Sequence, residues 1–269
     1  MWSLVGADLQ RFEKRFSSKA RPSQSSTRRR FRDAASVQRI RNFRIGVCLD
    51  FAELRYPYTP TPVTKMAKTG RRVITVGLTG ASGAIYARHV LRMLDADSSV
   101  GRVFLVISDA GLRLLATELD IVASDSKKLP SLLTGTAAAK IQSLPNRDIG
   151  ASIASGSAIV DAMIIVPCSA GALGSIGSGI ANDLLTRAAE VCLKERRPLI
   201  LCLRETPLQR NHLENMVRLH DAGATVMPAT PAFYYGPQTI DDVVDQFSYR
   251  VLAQAGLPQK KQYRWKGRP

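Results

Sequence analysis

Along residues 73–256 one alternation recurs: a short, often β-branched apolar run, a corner of small residues, then apolar positions at helical spacing. The first run covers 73–79, and its corner is Gly80-Ala81-Ser82-Gly83. Continuous apolarity over so few residues predicts a strand buried on both faces. A helix follows over 84–95. A second strand is predicted over 103–107, ending at Ser108, after which Leu112, Leu115 and Ala116 keep helical spacing through Glu118. Residues 120–150 read as loops around one short segment that the pattern does not place. A third strand is predicted at 162–166, a helix at 182–195, a fourth strand at 198–203, a helix at 208–220 and a fifth, short strand at 224–227. A last helix runs from about Thr239 to near Gly256. Strand and helix alternating at this rhythm predict an α/β fold, a doubly wound parallel sheet between helix layers.

Charge changes the picture only at the start. Of the net charge of +16, +10 lies in residues 1–70, around Arg28-Arg29-Arg30. The 269-residue chain therefore divides into a basic N-terminal extension over 1–70, a main domain over 71–258 and a basic tail over 259–269 that holds Trp265. Three readings of the extension stay open: a disordered basic tail, an organelle transit peptide, or a stretch upstream of a natural start at Met66. One short strand is expected within it, at 43–48. It lacks interleaved aromatics, so nucleic acid is not an expected partner. No apolar run reaches the length of a membrane span. Cys48, Cys168, Cys192 and Cys202 form no Cys-x-x-Cys pair and no zinc spacing, so they read as reduced thiols and no metal is expected. The expected location is the cytoplasm, or the mitochondrion if residues 1–65 are a transit peptide.

The chemistry gathers at three corners that follow strands: residues 80–83, the Gly/Ser-dense run 169–179, and Arg204-Glu205. In a parallel sheet such corners share one edge and converge on one crevice. Hydroxyls, backbone N–H groups, cations and a carboxylate there suit a ligand with a phosphate and a planar ring. Each feature also has a plainer reading. Gly-x-Ser-Gly turns serve as ordinary strand-to-helix corners, the run 169–179 suits tight helix packing, and Arg187 and Lys194 are a pair of solvated helix cations. His89, His212 and His220 fall on predicted helices, and no nucleophile elbow accompanies them.

Several longer motifs are more specific. Gly80-Ala81-Ser82-Gly83-Ala84, Ala154-Ser155-Gly156-Ser157, Pro167-Cys168-Ser169, Leu193-Lys194-Glu195-Arg196-Arg197-Pro198-Leu199, Arg204-Glu205-Thr206-Pro207-Leu208 and Pro231-Ala232-Phe233-Tyr234 closely resemble the UbiX-type flavin prenyltransferases. The resemblance covers about 73–268. It implies a flavodoxin-like, Rossmann-type sheet and assembly into a homododecamer. It also implies reduced FMN and dimethylallyl phosphate as substrates, joined at flavin N5 and C6 to give prenylated FMN for a UbiD-type decarboxylase, without a metal.

Carried across by position, the resemblance implies that Gly80, Ala81, Ser82, Ser108, Ser169, Ala170, Gly171, Ala172 and Arg204 hold FMN. Tyr234 and Arg250 would grip dimethylallyl phosphate, aided by Lys194 and Arg187. Glu118 and Glu205 match acidic active-site positions, and Trp265 matches an aromatic of the closing tail. Some of these groups are supplied by neighbouring subunits. The chain departs from some members at Ile149, where they carry a tryptophan. A flavin-dependent cysteine decarboxylase of related fold and a non-catalytic FMN-binding protein are the alternatives. The first is disfavoured because Pro167-Cys168-Ser169-Ala170-Gly171 stands where that family has Pro-Ala-Ser-Ala-Asn.

Overall fold

The computed structural model describes residues 70–122, 125–265 and 267. The basic extension and the strand expected at 43–48 lie outside them. Six strands, β1 (Arg72–Leu78), β2 (Val100–Ile107), β3 (Ile141–Pro145), β4 (Ala162–Cys168), β5 (Leu199–Leu203) and β6 (Thr225–Val226), form one sheet in the order β3-β2-β1-β4-β5-β6. All five pairings are parallel. The helices are α1 (Ala84–Ala96), α2 (Asp109–Leu119), α3 (Leu129–Thr134), α4 (Ala170–Gly177), α5 (Leu184–Lys194), α6 (Arg210–Asp221) and α7 (Ile240–Gln254). Strand order reverses between β1 and β4, which makes the carboxyl edge of that pair the switch point where such sheets take ligands.

Side chains alternate across the sheet and build two cores. Ile74, Val76 and Leu78 pack on one face with Leu91 and Leu94 of α1, and with Phe247 and Val251 of α7. Met163, Ile165 and Leu201 pack on the other with Leu173, Leu185, Ala188 and Leu219. Helix α1 buries Ala84, Ala87, Val90, Leu91 and Leu94, the three-and-four spacing of an inward stripe. Cys168, Cys192 and Cys202 are free and buried. Burial pushes the Cys168 and Cys192 thiols up to about 12, so both stay protonated fillers of the core.

Two elements differ from expectation. The stretch 120–150 holds a sheet strand: β3 pairs with β2 from Val103↔Ile141 to Ile107↔Pro145. As an edge strand it buries Ile141 but leaves Gln142 exposed, so it carries no continuous apolar run. The corner after β4 is also shorter than expected. Ser169 alone makes the turn, and 170–177 is helix α4. Its glycines serve packing as well: a Cβ on Gly177 would stand 3.1 Å from Asn215 of α6, and one on Gly174 3.6 Å from the same side chain.

Candidate functional site

The carboxyl ends of four strands are stitched together by hydrogen bonds. The Thr79 hydroxyl donates to the Pro167 carbonyl (2.8 Å) and accepts from the Ser169 amide (2.7 Å), tying the corner after β1 to the corner after β4. Ser108 N–H reaches the Leu78 carbonyl at 3.0 Å, and Arg204 N–H reaches the Cys168 carbonyl at 3.0 Å. The Arg204 side chain then returns, its Nε donating to the Ser82 carbonyl at 3.1 Å. Ser82, Ser108, Ser169 and Arg204 thus stand on one rim, as the three-corner reading expects.

Ser108 and Ser169 are the N-caps of α2 and α4. Their hydroxyls accept from the Gly111 and Ala172 amides at 3.0 and 3.2 Å. Each hydroxyl keeps its own O–H as a further donor. Ala170, Gly171 and Ala172 form the first turn of α4, and only the Ser169 hydroxyl lies within 4 Å of a Cβ placed on Gly171. That surface admits a flat ligand. Ala81 is buried beneath the first corner.

At the start of α1 the expectation needs one correction. The Gly83 and Ala84 amides are not free: the Glu118 carboxylate accepts from them at 2.9 and 2.8 Å. Burial pushes the Glu118 carboxyl up. The Ser82 hydroxyl, those two amides and the Arg204 charge together outweigh it and hold the carboxyl below its ordinary range. The helix start does attract an anion, but the chain supplies that anion from 35 residues away. Gly80 has a packing reason as well: a Cβ there would run into the Ala110 Cβ, so its smallness seats α2 against the corner. Gly83 needs its left-handed conformation (φ 118) to turn from strand into helix.

A second pocket adjoins this corner. Met227 and Ala229 amides bond the Leu201 and Leu203 carbonyls, carrying the chain alongside β5 towards residues 231–235. There a cavity of about 260 Å³ is lined by Tyr234, Tyr235, Gln246, Phe247, Arg250 and Tyr263 among others. Tyr263 and Trp265 of the tail lie edge-on to Tyr234, with ring centres 5.4 and 6.2 Å away. Tyr86 joins the two regions. Its ring packs on Phe247 at 4.9 Å and would lie 3.0 Å from a Cβ on Gly83. Burial, and then the proximity of Tyr235, push its hydroxyl pKa up. No motif marks Tyr86 in the sequence, yet a residue in the first turn of a helix leans back over the helix start.

Glu205 follows Arg204 directly and accepts from the Thr206 amide at 3.0 Å. Arg187 and Lys194 lie elsewhere. Helix α5 runs back to the amino edge of the sheet, where the Pro198 carbonyl meets the Met163 amide at the start of β4. Lys194 pairs there with Glu195 beside Gly156. Arg187 donates to the Ala154 carbonyl (3.2 Å) and pairs with Glu190 (3.2 Å). Within one chain these two cations do not join Tyr234 and Arg250. Among the described residues no group of three or more His, Cys, Asp or Glu has metal-site geometry, and no helix is long and apolar enough to cross a membrane.

The arrangement has close relatives. A Flavoprotein family model matches residues 63–252. The flavin prenyltransferase UbiX of Pseudomonas aeruginosa is 43% identical over 202 residues, covering 73% of this chain and 95% of that protein. The UbiX of Escherichia coli K12 is 42% identical over 196 residues, covering 72% and 98%. Among solved structures, AnUbiX (PadA1) in complex with FMN and dimethylallyl pyrophosphate superposes with a TM-score of 0.66 at 38% identity, over 74% of this chain and 100% of that one. A dodecameric FMN-dependent UbiX-like decarboxylase from E. coli O157:H7 gives 0.64 at 38% identity, over 72% and 100%. With its six-stranded parallel sheet and its anion-seating corner beside an aromatic pocket, this chain belongs to the UbiX flavin prenyltransferase family, a family of enzymes.

Proposed function

We propose that the protein takes dimethylallyl phosphate and reduced FMN as substrates, joins the five-carbon group to flavin N5 and C6, and yields prenylated FMN for a UbiD-type decarboxylase. The observation that carries this reading is the contact through Tyr86 between the Ser82–Arg204 corner and the pocket lined by Tyr234 and Arg250. Gly80, Ala81, Ser82, Ser108, Ser169, Ala170, Gly171, Ala172 and Arg204 would hold FMN. The residues fit it: two hydroxyls at helix starts, an open small-residue surface and an arginine serve a phosphate and a flat ring. When bound and reduced, FMN supplies the electron-rich ring that receives the allyl group.

The chain's own residues do the rest. Breaking the allylic C–O bond leaves its electron pair on phosphate, and Arg250 and Tyr234 stabilise that charge where it develops. Lys194 and Arg187 of a neighbouring copy complete the cluster, in an assembly such as the homododecamer. In ring closure Glu205 would take the proton that C6 gives up while the adjoining alkene carbon gains one, the N5 proton having left with the phosphate, and Glu118 fixes the α1 corner. Tyr263 lines the pocket and Trp265 lies against Tyr234 beside it, and such aromatic rings steady the cationic allyl group. Ile149 is 63% exposed and offers no such face. No metal enters this scheme.

The test mixes protein, reduced FMN and dimethylallyl phosphate without oxygen and weighs the flavin. The expected product is FMN heavier by one C5H8 unit. Unaltered FMN from folded, flavin-loaded protein overturns the proposal, and replacing the donor by its pyrophosphate in a parallel reaction decides which ester is used.

A further inference from the structure

We infer that Gln246 is a positioning residue that clamps the C-terminal segment over the allyl pocket. The Gln246 side-chain oxygen accepts from the Tyr263 amide at 2.8 Å, and its NH2 donates to the Lys261 carbonyl at 3.3 Å. One amide group thus reads the N–H of one residue and the C=O of the residue two before it, the pairing that a neighbouring β-strand would offer. Only one orientation of the amide satisfies both partners. The segment's root is fixed separately: Gln259 donates to Asp97 at 3.2 Å and to the Leu257 carbonyl at 3.0 Å. Beyond Gln259, among the described residues, the two bonds from Gln246 are the only hydrogen bonds that reach the segment from the body of the fold.

The clamp decides where the aromatic rings go. With Lys261 and Tyr263 held, the Tyr263 ring lies against Tyr234 and Tyr235, at 5.4 and 6.0 Å, and Trp265 lies edge-on to Tyr234. Gln246 and Tyr263 both line the same cavity as Arg250. Gln246 stands one helical turn before Arg250, so a single face of α7 carries the phosphate-binding cation and the hook that closes the roof. Backbone recognition makes the clamp indifferent to the side chains of the tail; the side chain on α7 sets the geometry. Without it the roof loses its fixed register, and the bound ester faces water.

The consequence for catalysis rests on the pocket reading given above, whereas the clamp itself does not. The test compares the full chain with Gln246→Ala, with a chain ending at Lys260, and with the combination of the two. Hydrogen exchange reads the Tyr263 amide, and steady-state kinetics read dimethylallyl phosphate. Gln246→Ala is expected to speed exchange at Tyr263 about tenfold and to raise KM for the ester about tenfold, as two lost neutral hydrogen bonds imply. FMN affinity should hold, and kcat should fall alongside, since the same rings steady the allyl cation. Gln246→Glu keeps the acceptor but not the donor and should fall between. In the chain ending at Lys260, adding Gln246→Ala should change nothing, because two groups acting through one contact are not additive. Unchanged Tyr263 exchange, or a further rise in KM in the shortened chain, overturns the inference. The exchange contrast in a protein that proves inactive upholds the clamp and removes only the pocket reading.

Discussion

Lys194→Ala is expected to lower turnover by about 10²- to 10³-fold while FMN content stays as in the parent protein. The size is that of removing one charged group which, under the proposed function, stabilises a developing anion. The separation of effects follows from position. Lys194 lies at the amino edge of the sheet, paired with Glu195, while Ser82, Ser108, Ser169 and Arg204 occupy the carboxyl edge. Its removal leaves the Ser82–Arg204 corner of its own chain intact. Within one chain the pair with Glu195 is partly exposed, so its loss should cost the fold of the single chain little. Flavin absorbance of the purified protein and single-turnover rates with dimethylallyl phosphate make the comparison. Loss of FMN together with activity would place Lys194 in the flavin seat instead.

Glu205→Gln is expected to slow formation of the finished product by at least about 10²-fold, the usual loss when a positioned proton acceptor is removed. The substitution keeps shape and keeps an oxygen for the Thr206 amide, so the turn after Arg204 should survive. Flavin binding and consumption of the allylic ester should continue, because Arg204, Tyr234 and Arg250 are untouched. Mass analysis at timed intervals, scored for fully cyclised product against ester consumed, reads the difference. A variant that cyclises at the parent rate would take Glu205 out of the proton step.

What the sequence disclosed and what it concealed follow from how local each feature is. β1, β2, β4 and β5 are legible because each carries a run buried on both faces, 74–78, 103–107, 162–168 and 199–203, that is almost wholly apolar. β3 is hidden because an edge strand needs only Ile141 in the core. Helix α4 is hidden because Gly171, Gly174 and Gly177 argue for a loop until Asn215 of α6 is seen against the last two. Within the site, Ser82, Ser108 and Ser169 stand out because each closely follows an apolar strand. The carboxylate that caps α1 could not be located by pattern, since Glu118 and Gly83 meet across 35 residues. Gln246 is equally silent: nothing on an amphipathic helix marks a residue whose partners are backbone atoms of a distant segment. The separation of Lys194 from Arg250 is a matter of strand and helix direction, and it appears only when the two edges of the sheet are distinguished.

That separation supplies the most direct test of the account. Lys194→Ala protein and Arg250→Ala protein would each be purified, shown to bind FMN and shown to be nearly inactive, then dissociated together and reassembled into mixed oligomers. If the amino-edge lysine of one copy completes the carboxyl-edge pocket of another, random pairing restores about a quarter of the parent activity, because one site in four draws both intact halves. Mixed oligomers no more active than the two variants alone would contradict a site shared between copies.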